Sequence, residues 1–329
     1  MGMGRFFMDN ILPISPELSI VIPVYNSANI FPELHRRLVA ALEPVVNSFE
    51  VLAVLDGCKD NSLAVISGIA AKDDRVKVLE FSRNFGHQAA VTAGVQHASG
   101  ALVAIMDDDL EDPPEALPAF IDKARSGFDV VYGIRRRRKR SFALRFLYSM
   151  FYRLSGAIVD ISIPRDAGDF CVMTRRVAQV LNAMPENNRY LRGMRAWSGF
   201  PQAGIEYERD QRFAERSGYS FSKYFALAMD GIFSFSYWPL KLVTKAGMLI
   251  ALASFAWGGW IVYLKLSGEM PDVPGWTSLT VSVLCLSGIQ LMAMGIMGEY
   301  IARIYDEVKQ RPKFVIRTRI GFPSEASDD

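Results

Sequence analysis

From 246 to 264, and again from 273 to 298, the chain carries no Asp, Glu, Lys or Arg. Each run suits the ~20 apolar residues that cover the hydrocarbon core of a bilayer. A soluble fold can bury one such helix, but two in tandem predict a pair of transmembrane helices, at about 246–266 and 276–298. The basic residues set their orientation. The link 267–275 has no Lys or Arg, whereas Lys241 and Lys245 precede the first span, and Arg303, Lys309, Arg311, Lys313, Arg317 and Arg319 follow the second. Because Lys and Arg accumulate on the cytoplasmic side, both termini and everything before Trp238 are expected in the cytoplasm, with the chain multi-pass in the inner (cytoplasmic) membrane. Trp238, Trp257, Trp260 and Trp276 fall near or within the spans, where indole rings favour the interface.

At 329 residues, the chain has room for a soluble-type domain besides the spans. Half of its residues are hydrophobic and 22% are charged, which excludes a disordered or collagen-like chain. A net charge of +2 excludes a polycation, so no nucleic-acid partner is expected. Cys58, Cys171 and Cys285 lie far apart with no C-x-x-C, which fits a reducing compartment and excludes a disulfide framework or structural zinc site. Residues 1–12 hold one Arg and no long apolar stretch, so no secretory leader is expected there.

Before the spans the pattern alternates. Short apolar runs at 18–24 (LSIVIPV), 49–55 (FEVLAVL), 76–81, 101–106 and 129–132 read as buried strands. Segments 30–42, 63–71, 88–98 and 114–126 have helical length and composition, with Pro114 suited to a first turn. This predicts an α/β, doubly wound, Rossmann-like domain, whose ligands bind outside the carboxyl ends of its strands. The G-x-G-x-x-G fingerprint is missing, so a dinucleotide-binding dehydrogenase does not fit.

The strand ends are where the chemistry gathers. Asp107, Asp108, Asp109, Glu111 and Asp112 follow the fourth strand. Carboxylates this close repel one another, and a hard divalent cation such as Mg²⁺ or Mn²⁺ would relieve them; a solvated acidic loop is the plainer alternative. Pro23, Tyr25 and Asn26 follow the first strand, Asp56 and Gly57 the second, and Arg83 to His87 the third. Tyr25 offers a ring for stacking, Asp56 an acceptor for a base or ribose proton, and Arg83 a cation for phosphate. Singly, each could be turn chemistry. Four such loops on one edge are harder to explain without a ligand.

Two amphipathic stretches lead toward the membrane. Residues 141–156 place Ala143, Phe146, Leu147, Met150, Phe151 and Leu154 on one helical face, after the basic run 135–140. A helix lying on an anionic lipid surface is the favoured reading, a solvated charge run the plainer alternative, and 220–238 is a second, aromatic-rich candidate.

The segments IVIPVYN, LDGCKDNS, FSRNFGHQAAVTAG, MDDDLEDPPE, AGDFCVM and NRYLRGMRAW, with the closing MGEYIARIYDEVKQRPKFVI, resemble the membrane-anchored polyprenyl-phosphate glycosyltransferases of inverting family 2. That group includes bactoprenol glucosyltransferase, dolichyl-phosphate mannose synthase and the aminoarabinose transferase ArnC. The resemblance runs from about Leu18 to Ile316. It implies an N-terminal extension at 1–17, a GT-A-type catalytic domain over 18–219, a juxtamembrane segment at 220–238, two spans within 239–300 and a cytoplasmic tail at 301–329. It further implies a UDP-sugar donor, a polyprenyl (undecaprenyl) phosphate acceptor, Mg²⁺ or Mn²⁺, and a homo-oligomer, by resemblance a tetramer.

Carried across by motif, Asp107 would hold the nucleotide–metal complex, while Asp109 and Glu111 would ligate the metal, Glu111 standing where the family usually has Gln. Pro23, Tyr25, Asn26, Asp56, Arg83, Asp107 and Asp108 are the nucleotide-binding candidates. Ser27 and Cys58 depart from the family's Glu and Ser. Asp169 matches an acidic position near the reacting centre, making Asp107, Asp109 and Asp169 the candidate catalytic carboxylates. Arg135 and Arg145 are the candidates for the lipid phosphate. Arg212, Arg216 and Ser217 match a loop over the donor diphosphate, with Arg216 in place of a Lys.

The implied reaction is a single displacement. An anionic phosphate oxygen attacks the anomeric carbon in line, inverting it, and no strong base is needed. UDP-glucose is the favoured donor, since residues 187–197 look closer to the glucosyltransferase branch. A processive polysaccharide synthase would carry Q-x-x-R-W, which Arg192 to Trp197 does not match. A non-catalytic nucleotide-sugar sensor would not need Asp109 and Glu111, which are both present.

Overall fold

The computed structural model describes residues 15–135, 167–187, 189–208, 238–267 and 275–322. They fall into two compact units, the first comprising the described residues up to 208 and from 312 onward, the second those between 238 and 311.

In the first unit β1 (Leu18–Val24) is followed by α1 (Phe31–Leu42), β2 (Phe49–Leu55), α2 (Ser62–Ala70), β3 (Val76–Phe81), α3 (His87–His97) and β4 (Leu102–Ile105). A 3-10 turn at Pro114–Ala116 opens α4 (Leu117–Arg125), and β5 (Val130–Arg135) and β6 (Ala167–Thr174) come next. Then come α5 (Arg175–Ala183), α6 (Leu191–Trp197) and β7 (Gln202–Tyr207). The second unit holds α7 (Trp238–Leu266) and α8 (Trp276–Val308), and β8 (Ile316–Ile320) belongs again to the first.

All eight strands form one sheet in the order β7-β5-β6-β4-β1-β2-β3-β8. Its centre is the parallel set that the apolar runs predict, with Leu18 opposite both Phe49 and Leu102. Every residue of β1 and β2 is buried, as a strand covered by helices on both faces must be. The flanks are antiparallel: β6 runs against β4 and β5 between them, and β8 runs against β3 at the outer edge.

Local chemistry explains the covering helices. Pro32 and Glu33 sit in the first turn of α1, where a missing N–H costs nothing and an acid meets the positive helix end. Phe31, Leu34, Leu38 and Leu42 form its buried stripe. Helix α3 lies so close to β1 that a Cβ on Gly94 would stand 2.1 Å from Val21 Cγ1. Far from the strand ends that carry the acidic loop, buried Glu50 accepts from the Ser19 hydroxyl at 2.5 Å, Lys77 at 2.6 Å, and the Ser99 hydroxyl and N–H at 2.7 and 2.8 Å. Burial alone would raise its pKa, but these bonds outweigh burial and hold it below the ordinary value. A buried carboxylate persists when its lone pairs are filled this way.

Residues 301–329, expected as a tail, are partly structured in another way. Helix α8 runs on to Val308, and β8 pairs with β3, Thr318 opposite Glu80. Without β8, β3 would present a row of unpaired backbone groups at the sheet edge.

Helices α7 and α8 contain the two predicted spans. Counted over the described side chains, no helix is long and apolar enough to cross a membrane. The helix expected at 141–156 and residues 220–237 lie outside the described residues, as do Arg145, Arg212, Arg216, Ser217 and most of the link between the spans.

Candidate active site

Parallel pairing puts the carboxyl ends of β1, β2, β3 and β4 on one edge of the sheet. Strand β5, antiparallel to β6 and so parallel to β4, ends at that edge on Arg135. The antiparallel register that sets Ile105 opposite Cys171 brings the start of β6, with Asp169, beside the acidic loop.

The loops brace one another. Asp108, after β4, accepts from the Tyr25 N–H at 3.0 Å and the Ser27 hydroxyl at 2.5 Å, tying the ends of β4 and β1 together. Burial raises its pKa against the opposing pull of those two bonds. Asn26, at a left-handed φ of 57°, accepts from the Lys59 N–H through its side-chain oxygen at 2.8 Å. Tyr25 beside it is 47% exposed, so its ring is available for stacking. Asp56 is buried, and its two oxygens accept from the Phe85 N–H at 2.6 Å and the Gly86 N–H at 2.9 Å. The 82–87 loop comes so near that a Cβ on Gly57 would stand 2.3 Å from Asn84 N, so only glycine fits there. The Arg83 guanidinium lies over the Phe85 ring at 4.4 Å.

The acidic loop turns on Leu110. Its backbone is left-handed, φ 58°, while its side chain is 1% exposed, anchored among core residues. That conformation costs a non-glycine residue about 1 kcal/mol or more. Burial of the leucine holds the turn that carries Asp109 and Glu111. Asp109 accepts from the Glu111 N–H at 3.0 Å, and Asp112 is buried where the Tyr207 hydroxyl donates to it.

Asp107 and Asp169 titrate in opposite directions. Burial pushes Asp107 upward; His87, whose Nε2 is 3.8 Å from the carboxylate, opposes that, while Asp169, Asp109 and Asp108 add to it. Burial also disfavours the charge on Asp169, but Arg192, Arg195 and His87 outweigh it and the net shift is downward. Arg192 reaches Asp169 at 3.3 Å, and buried Arg195 donates to the Gly168 carbonyl at 3.0 Å. Both arginines come from α6. Asp169 is therefore held ionised, a hydrogen-bond acceptor with little basicity.

Among the described residues, no group of three or more His, Cys, Asp or Glu stands arranged to hold a metal ion. The donor set fits Mg²⁺ all the same, because that ion takes one or two carboxylates and completes its shell with water and substrate phosphate. Burial first, and then the neighbouring carboxylates, push Asp107 upward, and a divalent cation held beside them would favour its ionised form.

Residues 19–181 match the family described as Glycosyl transferase family 2, and residues 238–304 match the GtrB C-terminal hairpin. The chain is 41% identical over 310 residues to the glycosyltransferase YkcC of Bacillus subtilis strain 168, covering 94% of this chain and 96% of that protein. It is 38% identical over 302 residues to the bactoprenol glucosyl transferase of Shigella phage SfII, covering 92% and 97%. The chain belongs to glycosyl transferase family 2. A solved structure, the mannosyltransferase PcManGT of Pyrobaculum calidifontis, is similar over 91% of this chain and 89% of that one, at 16% identity and a TM-score of 0.45. A likeness that slight carries no argument.

Within this family 2 chain, sequence reasoning reached the strand-end loops and missed how they are held. His87, at the end of the run after β3, faces Asp107. Arg192 and Arg195 lay in a segment read only as a branch marker, yet they flank Asp169. Their i, i+3 spacing on one helix was the available signal. Asp108, a nucleotide candidate, has one oxygen, Oδ2, engaged by both the Tyr25 N–H and the Ser27 hydroxyl.

Proposed function

We propose that the chain transfers glucose from UDP-glucose to polyprenyl (undecaprenyl) phosphate at the cytoplasmic leaflet, inverting the anomeric centre. The observation that carries this reading is the match, over nearly the full length of both chains, to the Shigella phage bactoprenol glucosyl transferase. The edge geometry supports it: an exposed aromatic, a stacked arginine, a carboxylate cluster and an ionised Asp169 converge where an α/β sheet binds its ligands.

The chain's residues would divide the work by chemistry. Tyr25 offers its ring to the base, and Arg83 its charge to the diphosphate. Asp109 and Glu111 would hold Mg²⁺ or Mn²⁺, which supplies charge neutralisation for the departing nucleoside diphosphate. Asp169, kept ionised by Arg192 and Arg195, positions the sugar or acceptor by accepting hydrogen bonds. The nucleophile arrives already anionic, so proton abstraction is not required of it. Arg135, at the end of β5, is offered to the lipid phosphate.

The proposal includes the two membrane crossings. Helices α7 and α8 leave Leu249, Phe255, Leu291 and Met292 between 69% and 81% exposed, apolar surface that hydrocarbon would cover. With the link outside and both termini in the cytoplasm, the donor site meets cytoplasmic UDP-sugar. In a chain whose own cysteines are replaced by alanine, an impermeant thiol reagent on whole cells should label Gly268→Cys and spare Ser327→Cys. The reverse pattern overturns the orientation.

The reading as a whole is tested by incubating purified protein with undecaprenyl phosphate and a panel of labelled donors: UDP-glucose, UDP-galactose, UDP-N-acetylglucosamine, UDP-aminoarabinose and GDP-mannose. Label in the lipid extract from UDP-glucose is the expected result. Transfer from another donor alone reassigns the sugar, and no transfer from any donor defeats the acceptor assignment.

A further inference from the structure

The segment that closes the chain's family-like motif, Lys313 to Ile316, has no part in the reaction as proposed, yet it reaches the donor loops. Phe314 stacks on Phe81, the last residue of β3, with ring centroids 5.1 Å apart and planes 10° from parallel. Phe81 in turn meets the edge of Phe85 at 5.7 Å and 87°. Phe85 is the residue whose N–H is held by Asp56 and whose ring lies under Arg83. One aromatic row therefore joins β8's approach to the nucleotide edge.

The backbone is gripped at the same place. The Ser82 N–H donates to the Val315 carbonyl at 2.9 Å, and Arg317 donates to the Ser82 carbonyl at 3.3 Å. Thr318 donates to Glu80 at 2.5 Å, with Arg317 3.6 Å from the same carboxylate. Phe314, Ile316 and Phe85 pack on one small apolar cluster with Leu79, Phe81 and Ala90, the last of these in the first turn of α3. Residue by residue, the C-terminal strand clamps the start of the 82–87 loop, and that loop presents Arg83 and His87.

We infer that Phe314 is a positioning residue for donor binding: through Phe81 and Ser82 it sets where the 82–87 loop stands, and so where Arg83 meets the nucleotide. This rests on the reading of the strand edge as the nucleotide-sugar site. It assigns β8 a role in substrate binding besides closing the sheet edge.

The test uses the full chain in detergent and compares Phe314→Ala and Phe314→Leu with Phe314→Tyr. Removing the ring should raise the donor KM about tenfold while kcat changes less than about threefold, since the carboxylates after β4 are untouched. Tyr, which can stack, should restore the wild-type KM. Amide hydrogen exchange at 82–87 should quicken about tenfold in the Ala and Leu variants, with β1 and β2 unchanged. Lowered kcat at unchanged KM, with faster exchange throughout the sheet, would mean that Phe314 only stabilises the fold and would overturn the inference. Unchanged KM and unchanged loop exchange overturn it as well. If wild-type protein binds no UDP in calorimetry, the nucleotide reading has failed, and the exchange measurement alone decides whether Phe314 positions the loop.

Discussion

Sugar transfer by Asp109→Asn is expected to fall at least about 100-fold, and EDTA is expected to abolish wild-type transfer until Mg²⁺ or Mn²⁺ is added back. Leu110 is buried in a left-handed conformation that places Asp109 and Glu111 on either side of the turn. Asp109 already engages one oxygen with the Glu111 N–H, which orients the carboxylate. Asparagine is isosteric and keeps that acceptor, so the turn survives and only the charge is lost. Loss of several kcal/mol of charge stabilisation on a leaving diphosphate corresponds to that fall in rate. The donor KM should rise as well if the cation helps to bind the ground-state diphosphate. Full activity in chelator, or an Asp109→Asn enzyme within a few-fold of wild type, would remove the metal from the mechanism.

Polyprenol without its phosphate should accept sugar at least about 100-fold more slowly than polyprenyl phosphate, the size of effect a missing general base produces. An alcohol needs its proton removed as it attacks. The carboxylate best placed to do so, Asp169, is held ionised and weakly basic by Arg192 and Arg195. Asp107, pushed the other way by burial and its neighbours, is committed to the acidic loop. A phosphate monoester asks for neither, because it enters with its nucleophilic oxygen already charged and is drawn to cations. Arg135→Ala should accordingly weaken acceptor use while UDP binding stays near wild type. Equal transfer to the free alcohol would sink this assignment, as would donor binding that collapses together with acceptor use in Arg135→Ala.

The amino-acid sequence by itself determined the parallel centre of the sheet and the place of the strand-end loops. Runs such as LSIVIPV and FEVLAVL are apolar on both faces, and only a strand covered by helices on each side tolerates that, so β1, β2 and the loops after them follow from local pattern. The uncharged run at 273–298 and its companion likewise mark α7 and α8 by composition alone. Strands β7 and β8 carry no such mark. β8 reads IRTRI, its two arginines exposed and its other three residues only partly buried, too polar a pattern to mark a strand. Its strand character exists only because β3 is there to pair with it. The same holds for the candidate site. Asp169 meets Asp107 because β6 enters the sheet backwards beside β4, and Arg192 and Arg195 meet Asp169 because α6 packs against that strand. Pairings between segments so distant in the chain leave no periodicity in either one. Only the closed tertiary structure decided them, and with them the ionisation of Asp169 and the hold of Phe314 on the 82–87 loop.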